Sequence, residues 1–518
     1  MSYSKNLGSA LTNTRMRAPN NVSAFSGMCS VCTVNCSGPC EIGLSALRGS
    51  EAIFPFATNT NQVASEKTYP LDFSHFNING RVFGAVGCEE DYGETSYPNV
   101  NIDSSFGKNN KVKLKAPLVL PAMSKLNWKD YYAGAALAGI AVVIGEDVIA
   151  KDDQLVVKDG EVVSSPLLID MVSTFKKYHH GAGDIILQAN PDDDHMGVLE
   201  YAIRVLGVKS VEIKLGQSAK GIQGLSRIND LERALKFKEM GYLVYPDPSD
   251  PQVQELFKKG KGQSFEKVGK LPLWNEESLL NRIQNLRQYG AERVCIKMGP
   301  YDAKDLIKLV KTASLAEVDL ITIDGAGGGS GNSPVKMMNE WGIPTVYLEK
   351  MVYDILSKMD QNGYYLPQVA IAGGFTMEDQ IFKGLSLGAP YITMVGVGRA
   401  AMAAAMVGNY VGDSIKKGKV PKEFERFGST LESVFEDIKK LRLIYGDDAL
   451  NIPPGAIGLY SYVQRISVGL QQLMALNRKY SLRHISQEDI IPLTELASRV
   501  TGLDMCTERI KKVLADSF

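Results

Sequence analysis

From residue 115 onward the chain alternates short apolar runs with amphipathic stretches. The runs are PLVLPAM (117–123), AVVIGE (141–146), IILQAN (185–190), VEIKLG (211–216), VCIKMG (294–299), LITIDG (320–325), VAIAGG (369–374) and ITMVGVG (392–398). They are rich in Val and Ile and alternate little, as expected of parallel strands buried on both faces. Helix-like segments stand between them, such as NDLERALKFKEM (229–240), EESLLNRIQNLRQYG (276–290) and TMEDQIFKGLSLG (376–388). Eight β–α units predict an α/β fold, a closed (β/α)8 TIM barrel over 115–410. A doubly wound open sheet is the alternative. It would put a glycine-rich turn after the first strand, whereas here the glycines follow the last three. The stretch between the fourth and fifth runs is too long for an ordinary loop of roughly 2–6 residues, which predicts an insertion over the barrel mouth near 241–275. Residues 411–518 read as a helical C-terminal extension.

The N-terminal quarter has no such rhythm. Residues 1–26 are polar, rich in Asn and Ser, and read as a flexible N-terminus. Residues 27–114 read as a cysteine-bearing module followed by an irregular segment lying against the barrel. The segment MCSVCTVNCSGPCEIG (28–43) packs Cys29, Cys32, Cys36 and Cys40 into twelve positions, with glycines and a proline to bend the backbone around a common centre. Only Cys88, Cys295 and Cys506 lie elsewhere, and the last two read as buried small hydrophobes.

The spacing C-x2-C-x3-C-x3-C is unlike a zinc ribbon and is not the bacterial ferredoxin run. An iron–sulfur cluster, most simply 4Fe-4S, is the first reading, with zinc and free or regulatory thiols as alternatives. Cys88 is a candidate replacement for the fourth ligand.

Composition narrows the rest. The 518 residues carry a formal charge of −1, which gives no electrostatic case for nucleic acid or an anionic membrane surface. The longest apolar run, Tyr131 to Gly145, is shorter than the roughly 20 residues a membrane span needs. The N-terminus has no apolar signal-peptide core. The expectation is a cytoplasmic protein, where clustered cysteines favour metal over disulfides. A homo-oligomer is compatible with these features.

Candidate chemistry gathers at the predicted strand ends. Gly373 and Gly374 follow the seventh run, and Gly396, Gly398 and Arg399 follow the eighth. In barrels these two loops commonly hold a phosphate through backbone N–H groups and a helix N-terminus. Lys214, Gln217 and Lys220 follow the fourth run and suit an anionic cofactor or substrate. The loop from Asp324 through Gly325, Gly328 and Gly329 to Pro334 would expose backbone N–H groups to a ligand. Lys297 interrupts an apolar strand and, facing the mouth, would stabilise negative charge on a reduced flavin.

These residues resemble the FMN-binding synthase domain of glutamate synthases, in particular the short archaeal-type proteins. IKLGQSAKG (213–221) is similar to that family's K-x-x-Q-x-A-K-P-G loop. Cys295–Gly299 looks like its V-K-L strand, and Asp324–Pro334 like its S-G-H-D-G-G-T-G-A-S-P loop. Pro121–Ser124 resembles its P-M-S segment. The terminal GLQQLMALNRKYSLRHIS resembles the tail of the short members.

The resemblance implies an FMN- and iron–sulfur-dependent oxidoreductase acting on an imine or amino-acid-like small-molecule substrate, fed by ferredoxin or another small electron carrier. Lys297, Lys220 and Gln217 would be catalytic. Met123, Ser124, Glu146, Lys214, Gln217, Lys297, Asp324, Gly325, Gly328, Gly329, Gly373, Gly374, Gly396, Gly398 and Arg399 would bind cofactor. Two departures stand out: the family's His-Asp pair is Ala326-Gly327 here, and its three cluster cysteines after the eighth strand are absent. They leave open a flavin-dependent dehydrogenase or transferase on another amine, or an electron-transfer subunit of a larger complex.

Overall fold

A computed structural model describes residues 30–38, 40–53, 65–88, 95–109, 111–123, 125–221, 225–329 and 333–518. All eight apolar runs form strands: β1 (Leu118–Met123), β2 (Ala141–Ile144), β3 (Asp184–Ala189), β4 (Ser210–Lys214), β5 (Arg293–Met298), β6 (Leu320–Asp324), β7 (Gln368–Ala372) and β8 (Ile392–Gly396). They pair in parallel, in sequence order, and β8 closes on β1. The sheet is therefore a closed barrel, and the open-sheet alternative is excluded. A helix follows each strand: α1 (Trp128–Ala138), α2 (Pro166–Tyr178), α3 (Val198–Arg204), α4 (Glu276–Tyr289), α5 (Ala303–Leu315), α6 (Thr345–Gln361), α7 (Glu378–Gly388) and α8 (Arg399–Lys416).

The lack of alternation in the strands has its cause in two cores. One parity, including Val211, Ile213, Val294, Ile296, Ile321 and Ile323, packs outward under the helices. The other parity fills the barrel with Val119, Ala141, Val143, Ile186, Cys295, Leu320, Ala370 and Met394. Truncating a fully buried residue such as Ile321 to alanine should cost about 2–5 kcal/mol. The hairpin Ser104–Phe106/Val112–Leu114 sends Phe106 and Leu114 into that inner core. Its loop backbone donates to Gln368 Oε1 (3.1 Å) and Asp319 Oδ1 (2.9 Å) beside the strand starts. One end of the barrel is thus plugged, and the mouth lies at the C-terminal ends of the strands.

The β4–α4 connection carries a three-stranded antiparallel sheet (Leu225–Ile228, Phe265–Val268 and Leu243–Tyr245, in that order) with the helices Leu231–Glu239 and Pro251–Lys258. After α8 the chain builds α9 (Pro454–Leu476), which packs on α8 and α1. The strand Ile490–Pro492 then pairs with Phe76–Ile78, tying the C-terminal region to the segment ahead of the barrel. Among the described residues no helix is long and apolar enough to cross a membrane.

Candidate functional site

The barrel mouth holds a cavity of about 450 Å³. Met123, Gln217, Lys297, Asp324, Gly328, Gly329, Gly373, Gly374, Gly396, Gly398 and Arg399 all line it. A larger hollow of about 660 Å³ lies beside the insertion helix Leu231–Glu239, and no barrel strand end lines it. The strand-end cavity is the site on chemical grounds, because the convergent polar groups are there.

One side of this cavity is bare backbone. Gly373 has φ +118°, and a Cβ there would press on Gly325 O at 2.6 Å, so only glycine fits. A Cβ built on Gly374 meets nothing within 4 Å, so that face stands open to a ligand. The helix α8 begins at Gly398 without any side-chain cap. Its first N–H groups therefore lack intrahelical partners and sit at the positive end of the helix dipole. Arg399 stands beside them. Its guanidinium donates to Gly327 O (3.3 Å), and burial pulls its pKa below the usual arginine value. Open glycines, uncapped N–H groups and a partly desolvated arginine suit a phosphate.

The opposite side is charged. Lys297 on β5 is 3% exposed, with Nζ 3.1 Å from Asp324 Oδ2 on β6 but outside hydrogen-bonding geometry. Asp324 Oδ2 also accepts from Ser218 N (3.3 Å). Behind the cavity wall, Lys214 Nζ donates to Gln217 Oε1 (2.6 Å) and forms an ion pair with Glu146. Burial pushes the Glu146 carboxyl up, but the Lys214 and Lys220 ammoniums outweigh it and hold it below the usual carboxylate range. Lys220 is buried next to Lys214, and desolvation first, then that like charge, bring its pKa down to about 8. Lys220 is thus a group able to hold or release a proton near neutral pH.

Glu146, Lys214 and Lys220 therefore form a buried cluster beside the cavity, reaching it through Gln217. Gly325 lies behind the wall. Its N–H donates to Ala372 O (2.7 Å), and a Cβ there would collide with Thr345. Ser124 and Cys29 fall outside the described residues. Gln188, Ser218 and Phe375, none of them a candidate from the sequence, also line the cavity. Gln188 carried a usable signal, a polar side chain inside the apolar run IILQAN.

The cysteine segment departs from the metal-site expectation. Cys32 is exposed, Cys36 partly exposed and Cys40 buried. Cys36 Sγ accepts from Gly38 N (3.3 Å), and Cys40 caps the helix Glu41–Arg48 through Gly43 N (3.4 Å). Cys88 Sγ lies 3.0 Å from Thr95 Oγ1. Among the described residues no three Cys, His, Asp or Glu side chains converge on a metal position. The N-terminal segment is tied to the barrel by charge: Glu41 pairs with Lys336 (3.3 Å), which follows the glycine loop in sequence, and Glu51 with Arg227 (3.5 Å) of the insertion. Cys295 is buried inside the barrel as expected. Cys506 is exposed, which corrects its reading as a core residue, because it opens the terminal helix Cys506–Ser517, no residue of which is buried.

Residues 270–408 match the family model described as the conserved region in glutamate synthase. That span contains Lys297, the Asp324–Gly329 loop and both glycine pairs with Arg399. The Glu146–Lys214–Lys220 cluster lies outside it. No curated protein matches the chain.

Among solved structures it is similar to a flavocytochrome b2 variant with pyruvate bound, at 12% identity and TM-score 0.46, covering 85% of this chain and 81% of that one. It is also similar to an oxidised, active variant of (S)-mandelate dehydrogenase, at 13% identity and TM-score 0.41, covering 85% and 96%. A mandelate oxidase variant with a monooxide FMN adduct is similar at 11% identity and TM-score 0.41, covering 79% and 86%.

Proposed function

We propose that this chain is an FMN-dependent oxidoreductase of the glutamate synthase type, acting on an imine or amino-acid-like substrate with electrons from ferredoxin or a similar small carrier. The observation that carries the reading is the division of one cavity into a bare, anion-seeking side at β7–β8 and a lysine-bearing side at β4–β6. The first suits a phosphate tail and the second a redox-active ring with an anionic substrate.

Gly374, Gly396, Gly398 and Arg399 would hold the FMN phosphate, and Gly373 shapes the turn beside it. The open space over Gly374 and the uncapped α8 terminus are what a phosphate would fill. Bound FMN supplies hydride transfer at its N5 position. Lys297 places a fixed positive charge at the cavity floor, where negative charge would collect. Gln217, positioned by Lys214, would orient the ring or a substrate carboxylate. Lys220 would hold or release a proton at Nζ near neutral pH. Its burial beside Lys214 and Glu146 keeps bulk water from competing for that proton.

The iron–sulfur part of this reading rests on the spacing of Cys29, Cys32, Cys36 and Cys40. The described cysteines do not gather as ligands, so no electron step is assigned to them.

A second reading, a flavin enzyme for another small amine, is favoured by one observation. Position 326, where the resembled loop carries His, is a buried alanine bridged to Pro344, which puts no imidazole into the mouth.

Anaerobic purification with flavin, iron and zinc quantified tests the cofactors. Reduced ferredoxin with 2-oxoglutarate and ammonia then tests the substrate. Bound FMN with glutamate formed supports the first reading. Bound FMN without glutamate selects the second, and a flavin-free chain that cannot be loaded with FMN overturns both.

A further inference from the structure

Among the described residues, four buried polar atoms under the cavity lack hydrogen-bond partners: Gln188 Oε1 on β3, Glu212 Oε2 on β4, Lys297 Nζ on β5 and Thr322 Oγ1 on β6. The four side chains are each at most 3% exposed. Strand parity turns them all inward, since their sequence neighbours Leu187, Ile213, Ile296 and Ile321 belong to the outer core. Register makes them neighbours as well. Gln188 pairs with Glu212, Lys297 with Thr322, and Glu212 with Cys295, two residues before Lys297. Gln188 and Lys297 reach the cavity, whereas Glu212 and Thr322 do not line it. An orphaned buried polar atom typically costs about 1–3 kcal/mol. Four on adjacent strands form a cluster whose unmet hydrogen bonds call for a shared proton, a water or a ligand.

Glu212 is the unusual member. Its one donor is the neutral amide of Gln188, with Nε2 to Oε1 at 2.5 Å. A single amide is poor support for a buried carboxylate, which normally needs a paired cation or several donors. The cation facing it, Lys297, is turned to Asp324 at the rim. The other charged groups around it are Lys214 on its own strand and Asp324 on β6, and the Cys295 thiol of β5 also faces it. Burial raises the Glu212 carboxyl above its ordinary range, and Lys297, Gln188 and Lys214 only partly offset it.

We propose that Glu212 is a positioning residue that keeps a proton beneath the cavity and thereby leaves the Lys297 charge available to whatever anion occupies the mouth. Protonated, it takes no share of Lys297. Ionised, it competes for Lys297 from below, and the pull on an anion above weakens. Negative charge arriving in the cavity therefore favours protonation of Glu212. Gln188 couples the two, because its amide touches Glu212 and faces the cavity. The part of this inference that concerns FMN rests on the proposed function. The buried acid itself does not.

Two measurements on the full chain separate these. Infrared spectra of the protein as isolated should show a protonated carboxylic-acid carbonyl band at neutral pH, part of which disappears in Glu212→Gln. Glu349→Gln, which removes another fully buried acid with raised pKa, should lose a different component and leave the Glu212 component intact. An unchanged band in Glu212→Gln overturns the proposal.

With FMN loaded, the two-electron midpoint potential is then followed from pH 5 to 9. Wild type should take up one more proton per two electrons than Glu212→Gln over the window in which Glu212 titrates, a slope difference of about 30 mV per pH unit. Parallel lines across the whole range overturn the linkage. Should Glu212→Gln not fold, Lys297→Met supplies the check: losing the cation must move the Glu212 infrared titration to higher pH, and an unmoved titration refutes the coupling. A chain that takes no FMN yet loses the band in Glu212→Gln overturns the flavin reading while the buried acid stands.

Discussion

Replacing Lys214 with methionine isolates the buried pair on which the charged side of the mouth depends. The Lys214 side chain is 2% exposed, its ion-pair partner Glu146 14%. Methionine keeps most of the volume but strands the carboxylate, with Lys220 the nearest remaining cation. Removing one member of a buried pair typically costs about 3–5 kcal/mol. At roughly 2.1 cal/mol/K of unfolding entropy per residue, a chain of 518 residues has about 1.1 kcal/mol/K. The expected fall in thermal midpoint at pH 7 is therefore about 3–5 °C.

The sign of the pH dependence follows from Glu146. Its folded pKa is depressed, so the pair's contribution is present above the ordinary carboxylate value and lost as pH falls through the folded one. The deficit of Lys214→Met should accordingly shrink toward acid pH, where its stranded carboxylate is protonated and the wild-type pair is weakening. Adding Glu146→Gln removes the uncompensated charge and should recover most of the lost midpoint at pH 7. Scanning calorimetry of the four proteins in this cycle, at pH 7 and at a pH below the ordinary carboxylate value, reads the coupling directly. A single variant no less stable than the double variant at pH 7 would falsify the assignment of Lys214 and Glu146 as a mutually dependent buried pair.

Lys220 should govern an alkaline limb. As pH rises through about 8 its cation is lost, so the KM for a carboxylate-bearing substrate should climb in wild type, and Lys220→Gln should start high and stay flat. Gly374→Val introduces a strained residue at φ +97° and fills the open space at the end of β7. It should weaken FMN binding at least tenfold while circular dichroism remains that of the folded barrel, and undiminished binding places the phosphate elsewhere. Removing the phosphate from the ligand is the complementary change. Riboflavin should bind about 100-fold or more weaker than FMN, since two charge-assisted hydrogen bonds at about 1.5–3 kcal/mol each are forfeited. Arg399→Gln should narrow that ratio. Cys32→Ala should remove any bound iron without loss of FMN, and joint loss would show that the two regions are not independent.

The barrel was legible because both of its cores are apolar. A strand buried on two faces must be an unbroken run, and runs such as AVVI (141–144) or LITI (320–323) leave no other reading. The insertion sheet was not legible for the converse reason. Its strands are three or four residues long, and Leu243 and Tyr245 are exposed while Lys267 is buried, which inverts the usual hydrophobic signal. The buried lysine has a cause at the rim: Lys267 Nζ reaches Asp147 Oδ1 at 2.9 Å just past the end of β2, a charge contact added to the apolar burial of Ile228, Phe237 and Phe265. Among site residues, Lys214 was visible as one of two lysines gathered with a glutamine at a strand end, and Lys297 as a lysine inside an apolar run. Gln188 and Glu212 sent the same signal, but a single uncharged amide, or a glutamate two residues from a lysine, reads from sequence as a solvent-facing position. Only the strand parity of the folded barrel turns them inward. The cysteine spacing is the reverse case, a loud pattern whose described members do not converge.

The asymmetry of the mouth says what shape of ligand the barrel can use. Strands β7 and β8 end in Ala372-Gly373-Gly374 and Gly396-Val397-Gly398, which offer backbone and space but no side-chain charge until Arg399. Strands β3 to β6 end in Gln188, Lys214, Lys297 and Asp324, all inward and mostly desolvated. A small symmetric anion would satisfy either side and leave the other exposed. A ligand that satisfies both must carry a compact anion at one end and an extended, polarisable group with hydrogen-bonding edges at the other, spanning a cavity of about 450 Å³. Charge alone makes the lysine side attractive to the compact anion as well. What disfavours that inverted binding is geometry: Lys214 is held by Glu146 behind the cavity wall, and a compact anion at Lys297 would also meet the Asp324 carboxylate 3.1 Å from its Nζ, whereas the uncapped N–H groups of α8 have no partner in the helix. The orientation of the ligand follows from which of the two positive ends offers a compact anion room without a carboxylate beside it.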